Sequence, residues 1–407
     1  MTAWLALGVA AASAAVWCVL GLMRRGWRDA AHRLVPAAAD ALQRWPSVAV
    51  LVPARDEADH LPRTLPALLD QAYPGPLRVV LIDDASSDAT PEVLRRLHAE
   101  HPRADRLLTV HLTGEPPPGW MGKCWAIEQG RAALADAEGA AGSRSTWICH
   151  TDADIDWHPD LLRSAVARLE LNGRDVLGLA TRLRPQGLLE TAVQLNLMVA
   201  LAVLFPIEKA LDPASPVALT GGAFILVRRA RYEAIGGHAA VAGEMVEDLA
   251  LGRALKQDGC RMDAAAAGSL QSCRMYDDWA DMREGLTKNA AAGLGYSRLR
   301  ATGLITATLL FNVSPPLLLL ASLGMLLGGS GGAVWAATGG VASLAWISQA
   351  RVFVLACRLS DLSPSYAWSA PLGALIYCGF VIESFRKART GGNLWKGRRY
   401  GITGRGL

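Results

Sequence analysis

Residues 147–156 read Trp-Ile-Cys-His-Thr-Asp-Ala-Asp-Ile-Asp, an apolar start that runs into Asp152 and Asp154 across one small residue. Two carboxylates at i and i+2 past a strand end can both turn toward a hard cation, directly or through water. Mg²⁺ and Mn²⁺ take oxygen ligands and commonly share them with a substrate's phosphates. The spacing is frequent by chance, and a solvated loop also produces it. Its weight comes from the other polar clusters of the chain.

Pro53-Ala54-Arg55-Asp56-Glu57 follows the apolar run Val48–Val52, and Asp83-Asp84-Ala85-Ser86-Ser87-Asp88-Ala89-Thr90 follows Val79–Ile82. Acids there can accept hydrogen bonds from a base N–H and a ribose hydroxyl. Asp56 and Glu57 equally suit a helix N-terminus, where negative charge meets the positive end of the macrodipole. Ser87, Asp88 and Thr90 equally suit capping of a helix that starts near Pro91. Gly119-Trp120-Met121-Gly122-Lys123 follows three prolines. Gly122 permits close backbone approach, and Lys123 at a helix start can meet a phosphate or stand in solvent. Gly221-Gly222-Ala223-Phe224 allows a tight turn or a close pass against a ligand. Val246-Glu247-Asp248-Leu249 sets two acids between apolar flanks. Asp248 suits a general base, which must sit near the reacting carbon and partly away from water; a solvent-exposed capping pair is the plainer reading.

The elements that must position these groups are legible from hydrophobic periodicity. Short apolar runs predict strands at Val48–Val52, Val79–Ile82, Leu107–Leu112, Trp147–His150, Val176–Ala180 and Ala223–Val227. Helical spacing predicts helices over Glu57–Gln71, Pro91–Glu100, Lys123–Ala137 and Pro159–Leu171. The alternation implies an α/β fold whose mostly parallel sheet is covered on both faces. In such sheets ligands bind beyond the carboxyl ends of the strands, where the polar clusters fall.

The 407 residues suffice for a sizeable core and more; 51% are hydrophobic, and the excess gathers at the two ends. The net charge of +4 is mild and requires no nucleic-acid partner. Seven scattered cysteines with no Cys-x-x-Cys pair argue against a disulfide framework or a zinc site and suit a reducing compartment. Residues 1–23 are expected to be a retained membrane anchor of about 20 apolar residues, and Arg24, Arg25 and Arg28 place the next segment of the chain in the cytoplasm. Residues 24–46 read as a linker, 47–300 as the catalytic domain, 301–388 as membrane helices and 389–407 as a basic tail. Residues 188–207 are apolar but carry Glu190, Gln194 and Asn196, which favours an interfacial or buried helix over a span. Three further apolar segments lie at 302–328, 332–357 and 366–385. Three full crossings would put the basic tail outside, against the positive-inside bias. One segment is therefore expected to be re-entrant or interfacial, or two to form one broken element; Pro315-Pro316 points to the first.

Taken in order, the six motifs resemble the family 2 glycosyltransferases over about residues 47–260. The resemblance implies a GT-A, Rossmann-like nucleotide-sugar domain with terminal transmembrane helices, a nucleotide diphosphate sugar donor with a UDP-sugar as the expected form, Mg²⁺ or Mn²⁺, and inversion at the anomeric carbon. By match of motif it implies that Pro53, Arg55, Asp56, Glu57, Asp83 and Asp84 line the nucleoside pocket. Lys123 would contact the diphosphate, Asp152 the ribose and metal, and Asp154 would be the principal metal ligand. Gly221 and Gly222 would shape the acceptor side, with Asp248 of the Glu247-Asp248 pair as the base. The Gly-Trp-Met-Gly-Lys loop, Lys288-Asn289 and Trp395-Lys396-Gly397-Arg398 are similar to the hopanoid-associated members, with carotenoid glycosyltransferases as near relatives.

Processive members carry Gln-x-x-Arg-Trp after the Glu-Asp pair. Here Glu284–Asn289 lacks it, which favours transfer of one sugar to a membrane lipid at an inner membrane, with the domain cytoplasmic. Transfer to a polyprenyl phosphate, whose nucleophile is already ionised, is the second enzymatic reading. A nucleotide-sugar-binding membrane protein is the non-enzyme one. A transporter is disfavoured, because Arg351 and Glu383 lie near segment ends.

Overall fold

The computed structural model describes residues 2–23, 32–389, 393–395 and 398–400. Arg24, Arg25, Arg28, Lys396, Gly397 and Arg405 lie outside the described residues, and with them part of the tail motif. The chain forms two compact units, one of Ala30–Arg184 and Phe205–Met275, the other of Met1–Asp29, Pro185–Leu204 and Tyr276–Leu407.

The first unit is built on β1 (Val48–Ala54), α2 (Leu61–Leu69), β2 (Leu77–Asp84), α3 (Thr90–Glu100), β3 (Leu107–Leu112), α4 (Gly122–Ala141), β4 (Trp147–His150), β5 (Ile155–Trp157), α5 (Leu161–Leu171), β6 (Val176–Ala180) and β7 (Arg182–Leu183). It continues through α7 (Ile207–Leu211), β8 (Ile225–Arg228), α8 (Arg229–Ala234), α9 (Glu247–Gln257), β9 (Met262–Ala266) and β10 (Gln271–Cys273). Seven strands lie in the order β3-β2-β1-β4-β8-β6-β9, and β5-β10-β7 make a small second sheet. All neighbours in the large sheet run parallel except β8, which is antiparallel to both β4 and β6.

The alternating side chains of β1 explain the three layers, since successive strand residues face opposite sides. Val48, Val50 and Val52 pack with Leu61, Leu65, Leu161 and Leu162 on one face. Ala49 and Leu51 pack with Ile127, Leu134, Leu251 and Leu255 on the other. The stretch read as a linker is folded onto this unit from residue 32: the Leu34 N–H donates to the Ala266 carbonyl at 2.9 Å, and Trp45 sits edge-on to Tyr73.

Register places the site. Ala54 lies opposite Asp83, so the loops after β1 and β2 leave side by side. Leu51 lies opposite His150, which brings Asp152 to the same edge. His150 also pairs with Ile225 at the start of antiparallel β8, so Gly221 and Gly222 arrive where β4 ends.

The second unit holds α1 (Thr2–Met23), α6 (Gly187–Leu204), α10 (Trp279–Gly293), α11 (Arg298–Thr308), α12 (Ser314–Leu327), α13 (Ala333–Leu359) and α14 (Ala370–Arg389), with a short hairpin of β11 (Asn393–Trp395) and β12 (Arg398–Tyr400). Among the described residues, five helical stretches are long and apolar enough to cross a membrane: Thr2–Leu22, Gly187–Leu204, Arg298–Leu327, Ala333–Leu359 and Pro364–Arg389. Residues 185–204 and 276–300, which the sequence reading assigns to the catalytic domain, group with these helices.

The double proline does not break the first C-terminal segment. A π-helical turn at Leu309–Val313 joins α11 to α12 in one continuous helix. Prolines at 315 and 316 supply no N–H to the carbonyls four residues earlier. Ser13 Oγ and Trp17 Nε1 donate to the freed Phe311 carbonyl at 3.0 and 2.6 Å, and Gln349 Nε2 donates to the freed Asn312 carbonyl at 3.4 Å and to Asn312 Oδ1 at 3.0 Å. Side chains from α1 and α13 thus satisfy what the prolines expose, as an apolar solvent requires.

Candidate active site

The loops after β1 and β2 form one cluster. Asp56 takes a left-handed backbone (φ 52°), and its Oδ1 accepts from the Ser87 N–H at 2.7 Å and from the Ser87 hydroxyl at 3.2 Å. Asp88 accepts from the Thr90 N–H at 2.9 Å and the Ala58 N–H at 3.0 Å, so it closes the turn before α3 and ties the loops together. Asp83 accepts from the Ser86 N–H and meets His111 Nδ1, both at 3.1 Å. Arg55 donates to the Asp84 carbonyl at 2.7 Å. Glu57 Oε2 meets His60 Nδ1 at 2.8 Å. Pro53 stays within β1, opposite Ile82.

The second cluster forms at the ends of β4 and α9. The Met121 N–H donates to the Ala242 carbonyl at 2.7 Å, which fixes the loop before α4 close to α9. From the first turn of α4, Lys123 Nζ sits 2.5 Å from Asp152 Oδ1 and 2.6 Å from Glu247 Oε1. Burial opposes the ammonium charge, but Asp152, Glu247 and Asp248 outweigh it and hold its pKa well above the ordinary value. A Cβ on Gly222 would lie 2.7 Å from Lys123 Nζ and 2.9 Å from Asp152 Oδ2, so a side chain there would displace the Lys123–Asp152 pair; Gly221 faces open space. Asp248 accepts from the Gly222 N–H through Oδ2 and from the Leu249 N–H through Oδ1, each at 2.7 Å. Burial first, then the Glu247 charge, push its carboxyl up to about 6 against Lys123 and these hydrogen bonds.

Asp154 stands between the clusters. Burial, then Asp152 and Glu57, push its carboxyl up to about 6, while the Cys273 thiol donates to Oδ2 at 3.4 Å. A crowded carboxylate surplus of hard oxygens fits a divalent cation. Among the described residues no three His, Cys, Asp or Glu side chains converge as a closed cage. Such an ion would take its remaining ligands from substrate or water, as Mg²⁺ and Mn²⁺ commonly do. The next acid of the run, Asp156, is clamped by Arg63 and Arg184 and holds β5 in place.

Replacing Lys123 with Met keeps the stem and removes the cation in contact with both Asp152 and Glu247. The pairs are a third exposed on the Lys123 side (34%). The expected loss is therefore about 1–2 kcal/mol, between the near-zero value of an exposed pair and the cost of breaking a buried one. Thermal melting checks this; an unchanged Tm would mean the acids are neutralised some other way.

Residues that sequence reasoning missed complete a small recess lined by Lys123, Thr151, Gly222, Glu247, Asp248, His150 and His238. His150 is 3% exposed, and neither of its ring nitrogens makes a hydrogen bond among the described residues. Burial and the nearby Lys123 push its pKa down to about 3, so it is neutral. Its ring packs on Tyr232 and His238, and the Tyr232 hydroxyl meets His238 Nδ1 at 2.6 Å. A lone histidine in an apolar strand carries no sequence signal for this.

The sheet order, with its acids gathered at the carboxyl edge, is that of a GT-A fold. The model of the family described as glycosyltransferase like family 2 matches residues 46–279, and the chain belongs to that family. It is a glycosyltransferase, as the ordered motifs implied. It is 23% identical over 366 residues to the 4,4'-diaponeurosporenoate glycosyltransferase of Staphylococcus aureus (strain MRSA252), with 88% of this chain and 89% of the relative covered. Among solved structures it is similar to the mannosyltransferase PcManGT from Pyrobaculum calidifontis, solved in complex with GDP-Man and Mn²⁺. That match has a TM-score of 0.50 and 18% identity, over 94% of this chain and 98% of the other. This likeness supports the fold.

Proposed function

We propose that this glycosyltransferase moves one sugar from a nucleotide diphosphate sugar to a hydroxyl of a membrane isoprenoid of hopanoid or carotenoid type, with inversion. The observation that carries the reading is the single cluster formed by Lys123, Asp152, Glu247, Asp248 and Gly222 at the carboxyl edge of the sheet. The relative named for diaponeurosporenoate supports a polyene acceptor. Five membrane-length apolar helices support an enzyme of an inner membrane, with the sugar-transfer unit in the cytoplasm.

The acids after β1 and β2 would hold the nucleoside. Asp154 and Asp152 would hold Mg²⁺ or Mn²⁺, which when bound supplies positive charge to the leaving diphosphate. Lys123 adds its ammonium where negative charge develops. Asp248, oriented through its two N–H donors, takes the proton from the acceptor hydroxyl. That oxygen attacks the anomeric carbon opposite the departing diphosphate, and the single displacement inverts configuration.

The test uses purified full-length protein in detergent with Mn²⁺ or Mg²⁺ and radiolabelled UDP- and GDP-sugars. A hopanoid alcohol, a carotenoid and a polyprenyl phosphate are offered as acceptors. Label recovered in the hopanoid or carotenoid fraction supports the reading. Label in the polyprenyl phosphate alone overturns the acceptor and the need for a base.

A further inference from the structure

We propose that α14 does not cross the membrane but lies along its cytoplasmic interface, so that the chain crosses three times and the basic tail stays on the cytoplasmic side. The partner of this helix is the headgroup layer of the bilayer. The inference concerns the helical unit and is independent of which acceptor is glycosylated.

Contacts among the helices provide a depth scale. α13 runs antiparallel to the α11–α12 helix: Ser322 Oγ donates to the Trp335 carbonyl, and Gln349 pairs with Asn312. Continued along both helices, this register sets Cys357 level with about residue 304, at 1.5 Å rise per residue. The end of α1 reaches the same level, since Trp17 packs on Phe353 with ring centroids 5.9 Å apart. Met23, Leu359 and the start of α11 therefore mark one side of the bundle. Thr2, Leu327 and Ala333 mark the other.

Both ends of α14 fall on the first side. Ala370 packs with Phe353 and Cys357. At the other end Val381 packs with Ala290 and Ala301, and Phe385 joins the same cluster beside Leu304. The Ala291 N–H donates to Ser384 Oγ at 2.9 Å, and Arg283 pairs with Glu383 at 2.8 Å, both across to α10. A spanning helix would separate Ala370 from Phe385 by about 22 Å of depth. These contacts keep the two at one level.

The exposed side chains suit that posture. Trp368, Leu372, Leu375 and Ile382 recur at helical spacing and are 39–51% exposed, and the stripe ends in Arg386 and Lys387. A flat helix with one apolar stripe, an aromatic residue at one end and cations at the other fits the boundary between headgroups and acyl chains. α6 cannot be a single crossing either, because β7 before it and β8 after it belong to one folded unit.

Charge then fixes the side. Arg298, Arg300, Arg358, Arg386, Lys387 and Arg389 all lie at the first level, whereas the opposite turn, residues 328–332, reads Gly-Gly-Ser-Gly-Gly. Three crossings satisfy the positive-inside bias that four would violate.

The test keeps the chain whole, in a bacterium with a periplasm. A green fluorescent protein fused after Leu407 is expected to fluoresce, and alkaline phosphatase fused at the same point is expected to stay inactive. Ser330→Cys is expected to react with a membrane-impermeant maleimide in intact cells, above the labelling of the parent protein. Active phosphatase with a dark fluorescent fusion would overturn the interfacial α14. A Ser330→Cys site that reacts only after the inner membrane is opened would overturn the crossings of α11–α12 and α13.

Discussion

Replacing Asp248 with Asn is expected to lower kcat/KM by about 10²–10⁴-fold, the usual contribution of a positioned base, in a protein that still folds. The asparagine is not innocent, however. Asp248 accepts from the Gly222 N–H through one oxygen and from the Leu249 N–H through the other. An amide can accept only one of these, and its NH₂ would face the second donor, at a stability cost of about 1–3 kcal/mol. The mechanistic readout is therefore the pH profile. Wild-type activity should fall as the pH drops through about 6, where the Asp248 carboxyl takes up its proton. Burial sets most of that upward shift, and the Glu247 charge adds to it. Glu247→Gln removes a like charge, so the acid limb should move to lower pH while the base itself remains. A limb that does not move would assign it to another group. Near-normal turnover of a folded Asp248→Asn protein would remove Asp248 from the chemistry and favour an acceptor that is already ionised.

The parts of this molecule that were legible in its sequence are those where local pattern and burial agree. β4 and β6 have the limits expected from their apolar runs, because strands buried on both faces leave uninterrupted hydrophobic segments. The polar motifs were legible as strand-end loops for the same reason. Their meeting was not, since Lys123 and Glu247 come together through tertiary contacts such as that of Met121 with Ala242. Acids of one motif also divide their labour in ways no spacing reveals. Asp56 has its carboxylate on Ser87, and Asp156 is clamped by two arginines, whereas Asp154 is left among like charges. Hydropathy is likewise blind to depth. α13 and α14 both have membrane-length apolar windows, and the contacts of their ends, rather than their composition, distinguish them.

Asp154→Asn carries the second large expectation, and it runs in opposite directions for activity and stability. If Asp154 anchors the cation, its loss removes several kcal/mol of charge stabilisation from the leaving diphosphate, a fall of about 10²-fold or more in turnover. The metal-free variant, by contrast, should melt higher than the wild type at pH 7. Folding places this carboxyl under burial and beside Asp152 and Glu57, which raises it from 3.8 to about 6. A group whose pKa rises on folding binds protons more tightly in the native state, so wild-type stability declines as the pH climbs through that window. Asparagine has no charge to disfavour and can still accept from the Cys273 thiol. The gap in Tm should therefore open between about pH 4 and pH 6 and stay constant above. Added Mn²⁺ should raise the wild-type Tm by mass action on the native state and leave the variant's unchanged. A destabilised variant that kept its Mn²⁺ response would make Asp154 a packing residue and move the ion elsewhere. The expected pattern, stability gained where function is lost, is what a site assembled for a ligand rather than for the fold should show.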